Sequence, residues 1–403
     1  MVRISDILKS QQEAQKEAQQ NEEAATPSGE LREVKETRLS DILSVEELLK
    51  EHEDQGIENL ISKEHLRDRA AGILQNRIEQ HGTGGQWEYS DVEKIYSDAK
   101  ERVVHAITRG KAGQSFSVED IAECTVRVVR SMSEADRLYL KAVYTRHSSN
   151  DLVSHAVNVA IFALKIGMGL SYNENQLIRL GTVALLHDIG MAALDPALIH
   201  KEGRLDKKEY EEMKRHPEYS YAMLSNLGPE YAWIGSVVRQ EHERINGKGY
   251  PRGLAGDQIH EYAQIIGMVD YYEALTHTRP QRRRFLPYDA VKIVVEQEKG
   301  VFPPRLVKTL LKKISVFPLE GFVKLNTNET GKVIDTSEKR PLRPTVEILY
   351  DAEGQKLRSP KVVSLKDAPL LYITSSVYEE DILGEQNGWN MAANATHHNT
   401  PSI

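Results

Sequence analysis

The texture of apolar and polar positions changes several times along this chain. Residues 10 to 30 are mostly Gln, Glu, Ala and Ser. They bury little, which predicts a disordered or loosely helical arm. His81 to Gly85 is a Gly-rich breaker. Beyond it, Ser90 to Arg146 shows the apolar spacing of several amphipathic helices. Residues 151 to 315 carry longer helical periodicities and few strand signals. From about Leu319 the runs become short and β-rich: Phe322 to Leu325, Thr345 to Tyr350, Lys361 to Leu365 and Leu370 to Thr374, separated by Asn, Asp, Gly and Pro turns. The expected fold is mainly α. It comprises a disordered or docking arm (1–35), a helical N-terminal region (36–145), a central helical domain (146–315), a small β module (316–378) and a flexible tail (379–403).

Composition narrows the function classes. The chain has 403 residues, of which 40% are hydrophobic and 28% charged, as in ordinary soluble globular proteins. Its net charge of -8 disfavours a nucleic-acid polymer or a membrane surface as partner. Cys124 is the single cysteine, so no intrachain disulfide forms. The best apolar run, Val157 to Leu170, is interrupted by Lys165 and falls short of a membrane span. With no secretion signal at the N-terminus, the expected location is cytoplasmic. A short repeat, Arg3-Ile4-Ser5-Asp6-Ile7-Leu8 and Arg38-Leu39-Ser40-Asp41-Ile42-Leu43, reads either as a duplicated docking motif for a protein partner or as two Ser-capped helix starts.

The candidate chemistry lies in the middle. His155, His187, Asp188, His216, Glu241, His242 and Asp270 are all metal-ligand types carried on predicted helices. His187 continues the apolar stripe of Leu177, Leu180 and Ala184, so His187-Asp188 is expected at the buried end of a helix, where both need partners. A divalent ion is one such partner, and Asp188 has two oxygens with which to bridge a pair. Asp151 and His155 share a helix face. Asp206 and Glu209 predict a capping box for a helix that His216 ends before Pro217. Asp270 is expected to close the apolar run from Ile265. Mixed imidazole and carboxylate ligands suit Fe, Mn or Zn better than Mg alone.

These residues carry a resemblance. His187-Asp188-Ile189-Gly190, His216-Pro217, Glu241 to Pro251, Asp270, Glu273-Ala274-Leu275 and Arg279-Pro280 resemble, in order and spacing, the signatures of the HD-GYP domain family across about residues 150 to 300. The β module also resembles an extension often found after that domain. The resemblance implies an HD-superfamily helical bundle holding two or three divalent metal ions, with Fe or Mn favoured and Zn or Mg as alternatives. It implies hydrolysis of cyclic di-GMP to pGpG or GMP by a metal-bound hydroxide, with His187 and Asp188 at the catalytic centre. Asp151 matches a further acidic ligand of some members. Tyr250, Arg279 and Arg282 match positions that contact bases or phosphates, and Gly249 permits the loop that presents Tyr250. Two departures touch this chemistry. Met191 stands where the family has a phosphate-facing lysine, and losing one such donor costs about 10² to 10³ in rate. Glu241 replaces a histidine. The chain therefore reads as a phosphodiesterase, slowed by these changes, or as a catalytically degenerate cyclic di-GMP receptor. A homodimer fits either role.

Overall fold

A computed structural model describes residues 89–134, 136–145, 151–201, 203–277, 283–296, 300–337, 340–379 and 381–382. The N-terminal arm, its hexapeptide repeat and most of the tail lie outside the described residues.

Among the described residues three helices come first: α1 (Tyr89–Lys111), α2 (Val118–Glu134) and α3 (Arg137–Tyr144). They pack on α4 (Leu152–Gly169) and α5 (Glu174–Leu186), the centre of the helical layer. Asp151 caps α4 by accepting from the Ser154 amide at 2.9 Å. Asn173 and Gln176 form a capping box at the start of α5. The stretch Leu152–Gly169 does reach membrane-span length and a mean hydropathy of 1.5, beyond the sequence expectation. It is 72% buried against its neighbours, which accounts for its apolar character.

A 3-10 turn (Ile189–Ala193) leads to α6 (Pro196–Ile199), α7 (Lys207–Met213), α8 (His216–Ser225) and α9 (Ala232–Val238). The predicted capping box opens α7: the Glu209 amide donates to Asp206 at 2.9 Å, and the Asp206 amide to Glu209 at 2.6 Å. Then come α10 (Glu261–Thr276), α11 (Pro287–Glu296) and α12 (Pro304–Lys313).

The C-terminal module is one antiparallel sheet of β1 (Phe322–Leu325), β2 (Thr330–Asp335), β3 (Thr345–Tyr350), β4 (Lys356–Ser364) and β5 (Ile373–Val377), ordered β4-β3-β2-β1-β5. In the register of β1 with β2, Phe322 pairs with Lys332 and Lys324 with Thr330. Strict alternation places Val323, Leu325, Val333, Val346 and Ile348 inward, where they join the same core as the helices. β4 is an exposed edge bearing Lys356, Arg358, Pro360 and Lys361. Arg283 clasps Asp381 through both carboxylate oxygens at 3.0 Å and tethers the helices to the module. A cavity of about 280 Å³ separates them, walled by Phe162, Tyr272, Phe285, Phe317 and Tyr378.

Candidate metal centre

Five elements converge on one buried space. α4 supplies His155 from its first turn; His187 caps the C-terminus of α5, with Asp188 directly after it. His216 opens α8. The sequence expectation had it ending the preceding helix, but α7 stops at Met213, and Pro217 is tolerated because the first turn of α8 needs no amide donor there. Glu241 and His242 lie on the turn after α9. Asp270 sits in the middle of α10 rather than at its end, because the buried run continues through Tyr271, Tyr272, Glu273, Ala274 and Leu275.

The side chains form two groups that share Asp188: His155 and His187 on one side, His216, Glu241 and His242 on the other. Asp188 Oδ2 lies 3.7 Å from both His155 Nε2 and His187 Nε2. Its Oδ1 lies 3.4 Å from His216 Nε2. Glu241 Oε1 is 3.1 Å from His216 Nε2 and 3.2 Å from His242 Nε2. Asp270 Oδ1 approaches His155 Nε2 at 3.1 Å. One carboxylate facing two ligand sets is an arrangement that can bridge two cations.

The donor chemistry fits metal ions. His187 Nδ1 and His216 Nδ1 each donate to a backbone carbonyl at 2.8 Å, those of Ala184 and Met213. A carbonyl only accepts, so each neutral ring carries its proton on Nδ1 and aims the Nε2 lone pair at the centre. His155 does the same through Glu273 Oε2 at 2.6 Å. The buried atoms His155 Nε2, His187 Nε2 and Glu241 Oε2 have no hydrogen-bond partner. His216 Nε2 and His242 Nε2 stand 2.9 Å apart, a contact that needs a proton or a cation.

Electrostatics agree. Burial opposes charge on Asp188, but the imidazoles of His187, His216 and His155 outweigh it and hold its carboxyl below the usual range. Burial, reinforced by Asp188 and Asp270, pushes Glu241 well up. Burial also lowers His216, and burial with the neighbouring His216 brings His242 well down, which favours the neutral ring form that ligates. At His155 burial opposes protonation, yet Glu273 and Asp270 prevail and raise it.

Residues 135–306 match the HD domain family, and residues 322–385 match the KOW domain associated with HD domain. The chain is 27% identical over 271 residues to "Cyclic di-GMP phosphodiesterase PA4108" of Pseudomonas aeruginosa, covering 67% of this chain and 65% of that one. It is 34% identical over 146 residues to "Cyclic di-GMP phosphodiesterase response regulator RpfG" of Xanthomonas campestris pv. campestris, covering 36% and 38%. It is 31% identical over 192 residues to "3'3'-cGAMP-specific phosphodiesterase 3" of Vibrio cholerae, covering 46% and 41%. The chain thus spans less than two thirds of each of these relatives. With the His-Asp pair and the Gly-Tyr-Pro loop at the same centre, the family follows. The chain belongs to the HD-GYP family.

The HD-GYP loop is held from beneath. The Glu243 carboxylate accepts from the amides of Arg252 at 2.7 Å and Leu254 at 2.8 Å. Arg244 Nη1 donates to the carbonyls of Glu241 and Glu243, both at 2.9 Å. Gly249 is needed for close approach: a Cβ there would stand 2.4 Å from the Arg244 amide nitrogen. Tyr250 then stacks on His242, ring centroids 4.8 Å apart, with its buried hydroxyl unpartnered. On α10, a Cβ at Gly267 would lie 2.1 Å from the Glu241 carbonyl, so only glycine lets α10 approach the ligand-bearing turn.

Several sequence expectations fall elsewhere. Asp151 lies outside both ligand groups, and its oxygens serve the Ser154 amide and, at 2.6 Å, the Ser154 hydroxyl. Met191, expected at a ligand contact, is fully buried with Leu194 and Met213, in an apolar cluster on which Tyr250 packs. A lysine there would bury an ammonium. Arg279 and Arg282 lie outside the described residues. Sequence reasoning missed the importance of Glu273, naming it only within the Glu273-Ala274-Leu275 match. Its signal was the i, i+3 spacing from Asp270, which puts both carboxylates on one helix face.

Proposed function

We propose that this HD-GYP protein hydrolyses a cyclic dinucleotide, cyclic di-GMP foremost, to pGpG or GMP. The ligands are His155, His187, Asp188, His216, Glu241, His242 and Asp270, holding two divalent ions. The observation that carries the reading is Asp188, whose two oxygens face two groups of imidazole nitrogens: the unpartnered Nε2 atoms of His155 and His187 on one side, and the Nε2 atoms of His216 and His242, 2.9 Å apart, on the other. Mixed nitrogen and carboxylate donors favour Fe or Mn. When bound, the ions supply Lewis acidity that activates water near neutral pH and offsets charge on the reacting phosphate. The chain's own residues do the rest. The carbonyl-anchored histidines and Asp188 fix the ligand frame. The Tyr250 hydroxyl, buried and unpartnered, offers a donor to a phosphate or base. Arg279 and Arg282 counter the substrate's two negative charges. The names of the similar proteins, two acting on cyclic di-GMP and one on 3'3'-cGAMP, support a cyclic dinucleotide as the substrate class.

The test is to load the full chain with Mn²⁺ or Fe²⁺ and follow cyclic di-GMP and 3'3'-cGAMP by chromatography. Conversion of cyclic di-GMP that disappears in the His187→Ala, Asp188→Ala variant is the expected result. Tight binding without turnover replaces hydrolysis with reception. Faster conversion of 3'3'-cGAMP replaces the substrate.

A further inference from the structure

Behind His155 a hydrogen-bonded chain runs out of the HD match. α10 grips both nitrogens of this one ring: Asp270 stands at Nε2, 3.1 Å away, and Glu273, one turn on, accepts from Nδ1 at 2.6 Å. The second oxygen of Glu273 accepts from Asn158 Nδ2 at 3.3 Å and lies 3.1 Å from His277 Nδ1. Asn158 Oδ1 in turn accepts from the Tyr96 hydroxyl at 2.8 Å. His155, Asn158 and Glu273 are fully buried, and Tyr96 is 5% exposed. Tyr96 belongs to α1, which precedes the family match at residue 135.

We infer that Tyr96, Asn158 and Glu273 are positioning residues that hold His155 Nε2 on the first ligand group and make α1 a working part of the metal centre. The inference rests on the metal reading above. The physical reason is that a ligating imidazole is only as well placed as the partner of its other nitrogen. Glu273 fixes tautomer and ring plane and adds negative charge, and loss of such a partner typically weakens metal affinity about 10- to 100-fold. Glu273 in turn has an oxygen to satisfy in a dry interior; Asn158, its amide oriented by Tyr96, reaches it beside His277. The relay reaches one ligand, His155; the Nδ1 protons of His187 and His216 go to backbone carbonyls instead.

The experiment is a calorimetric Mn²⁺ titration of the full chain, without nucleotide. Glu273→Gln should weaken one Mn²⁺ site about 10- to 100-fold and leave the other, with partial recovery in Glu273→Asp. Tyr96→Phe should weaken the same site about 2- to 10-fold, the scale of one neutral hydrogen bond. Tyr139→Phe is the control. Its buried hydroxyl accepts from the Ser315 amide at 2.9 Å, away from the relay, so it should move neither site. Wild-type isotherms in both Tyr96→Phe and Glu273→Gln overturn the relay. So does a Tyr139→Phe shift as large as that of Tyr96→Phe, which would mean general loosening. If Glu273→Gln lacks the wild-type circular dichroism, the two tyrosine variants decide. A wild type that binds no Mn²⁺ overturns the metal reading itself.

Discussion

His155 and His187 stand on α4 and at the end of α5, two buried helices of the core, whereas His216, Glu241 and His242 come from a helix start and a turn. The first pair is aligned by a carboxylate and by helix-end geometry. The second set is aligned by close backbone approach at Gly249 and Gly267 and by Glu243 and Arg244 bonded into the loop. The difference teaches that one centre can draw its rigidity from two sources: packed helices on one side, main-chain contact on the other. The two sides should therefore fail separately.

Asp188 tests their union, since both groups use it. Asp188→Ala should lose both ions by elemental analysis and lower cyclic di-GMP turnover by at least about 10²-fold, the scale of removing one charge-stabilising group. Retention of one ion would break the shared-carboxylate picture. Gly267→Ala strikes the turn side first, at its backbone contact with α10. Its Cβ meets the Glu241 carbonyl, so urea denaturation should show a loss of about 1–3 kcal/mol, with one Mn²⁺ equivalent lost and the other kept. Glu241→Gln is gentler. Glu241 Oε2 has no partner to lose, so the metal-free Tm should hold or rise, while the Tm increase produced by Mn²⁺ shrinks. A fall in metal-free Tm would mean that the carboxylate supports the fold itself. The smallest effect concerns the scaffold beneath the helical side. Burial pushes the Cys124 thiol up to about 12, so iodoacetamide at pH 8 should modify it only after denaturation.

The contrast also explains what was legible in the sequence. His187 was readable because Leu177, Leu180 and Ala184 draw a helical stripe to it. The capping box of Asp206 and Glu209 and the change to β texture were readable for the same reason, since neighbours in sequence remain neighbours in space. His216 was misplaced by a single turn because Pro217 reads as a stop although it also suits a helix start. Asp151, a ligand position by resemblance, caps α4 in the structure through the Ser154 amide, a role its place just before the apolar run also allows. Strand β2 escaped because Gly331 and Lys332 dilute its apolar signal, and it forms by pairing with β1 and β3. The relay from Tyr96 to His155 spans residues far apart in the chain, and no local pattern announces it.

The exposed strand β4 bears on how copies of this protein meet. Lys356, Arg358 and Lys361 line it and Pro360 has no amide hydrogen, so two such edges brought together face like charge and a gap in the ladder. Sheet growth from molecule to molecule is thereby blocked at this rim. Strand-to-strand pairing of copies is disfavoured there, and the centre among the helices is spared a fibrous neighbour.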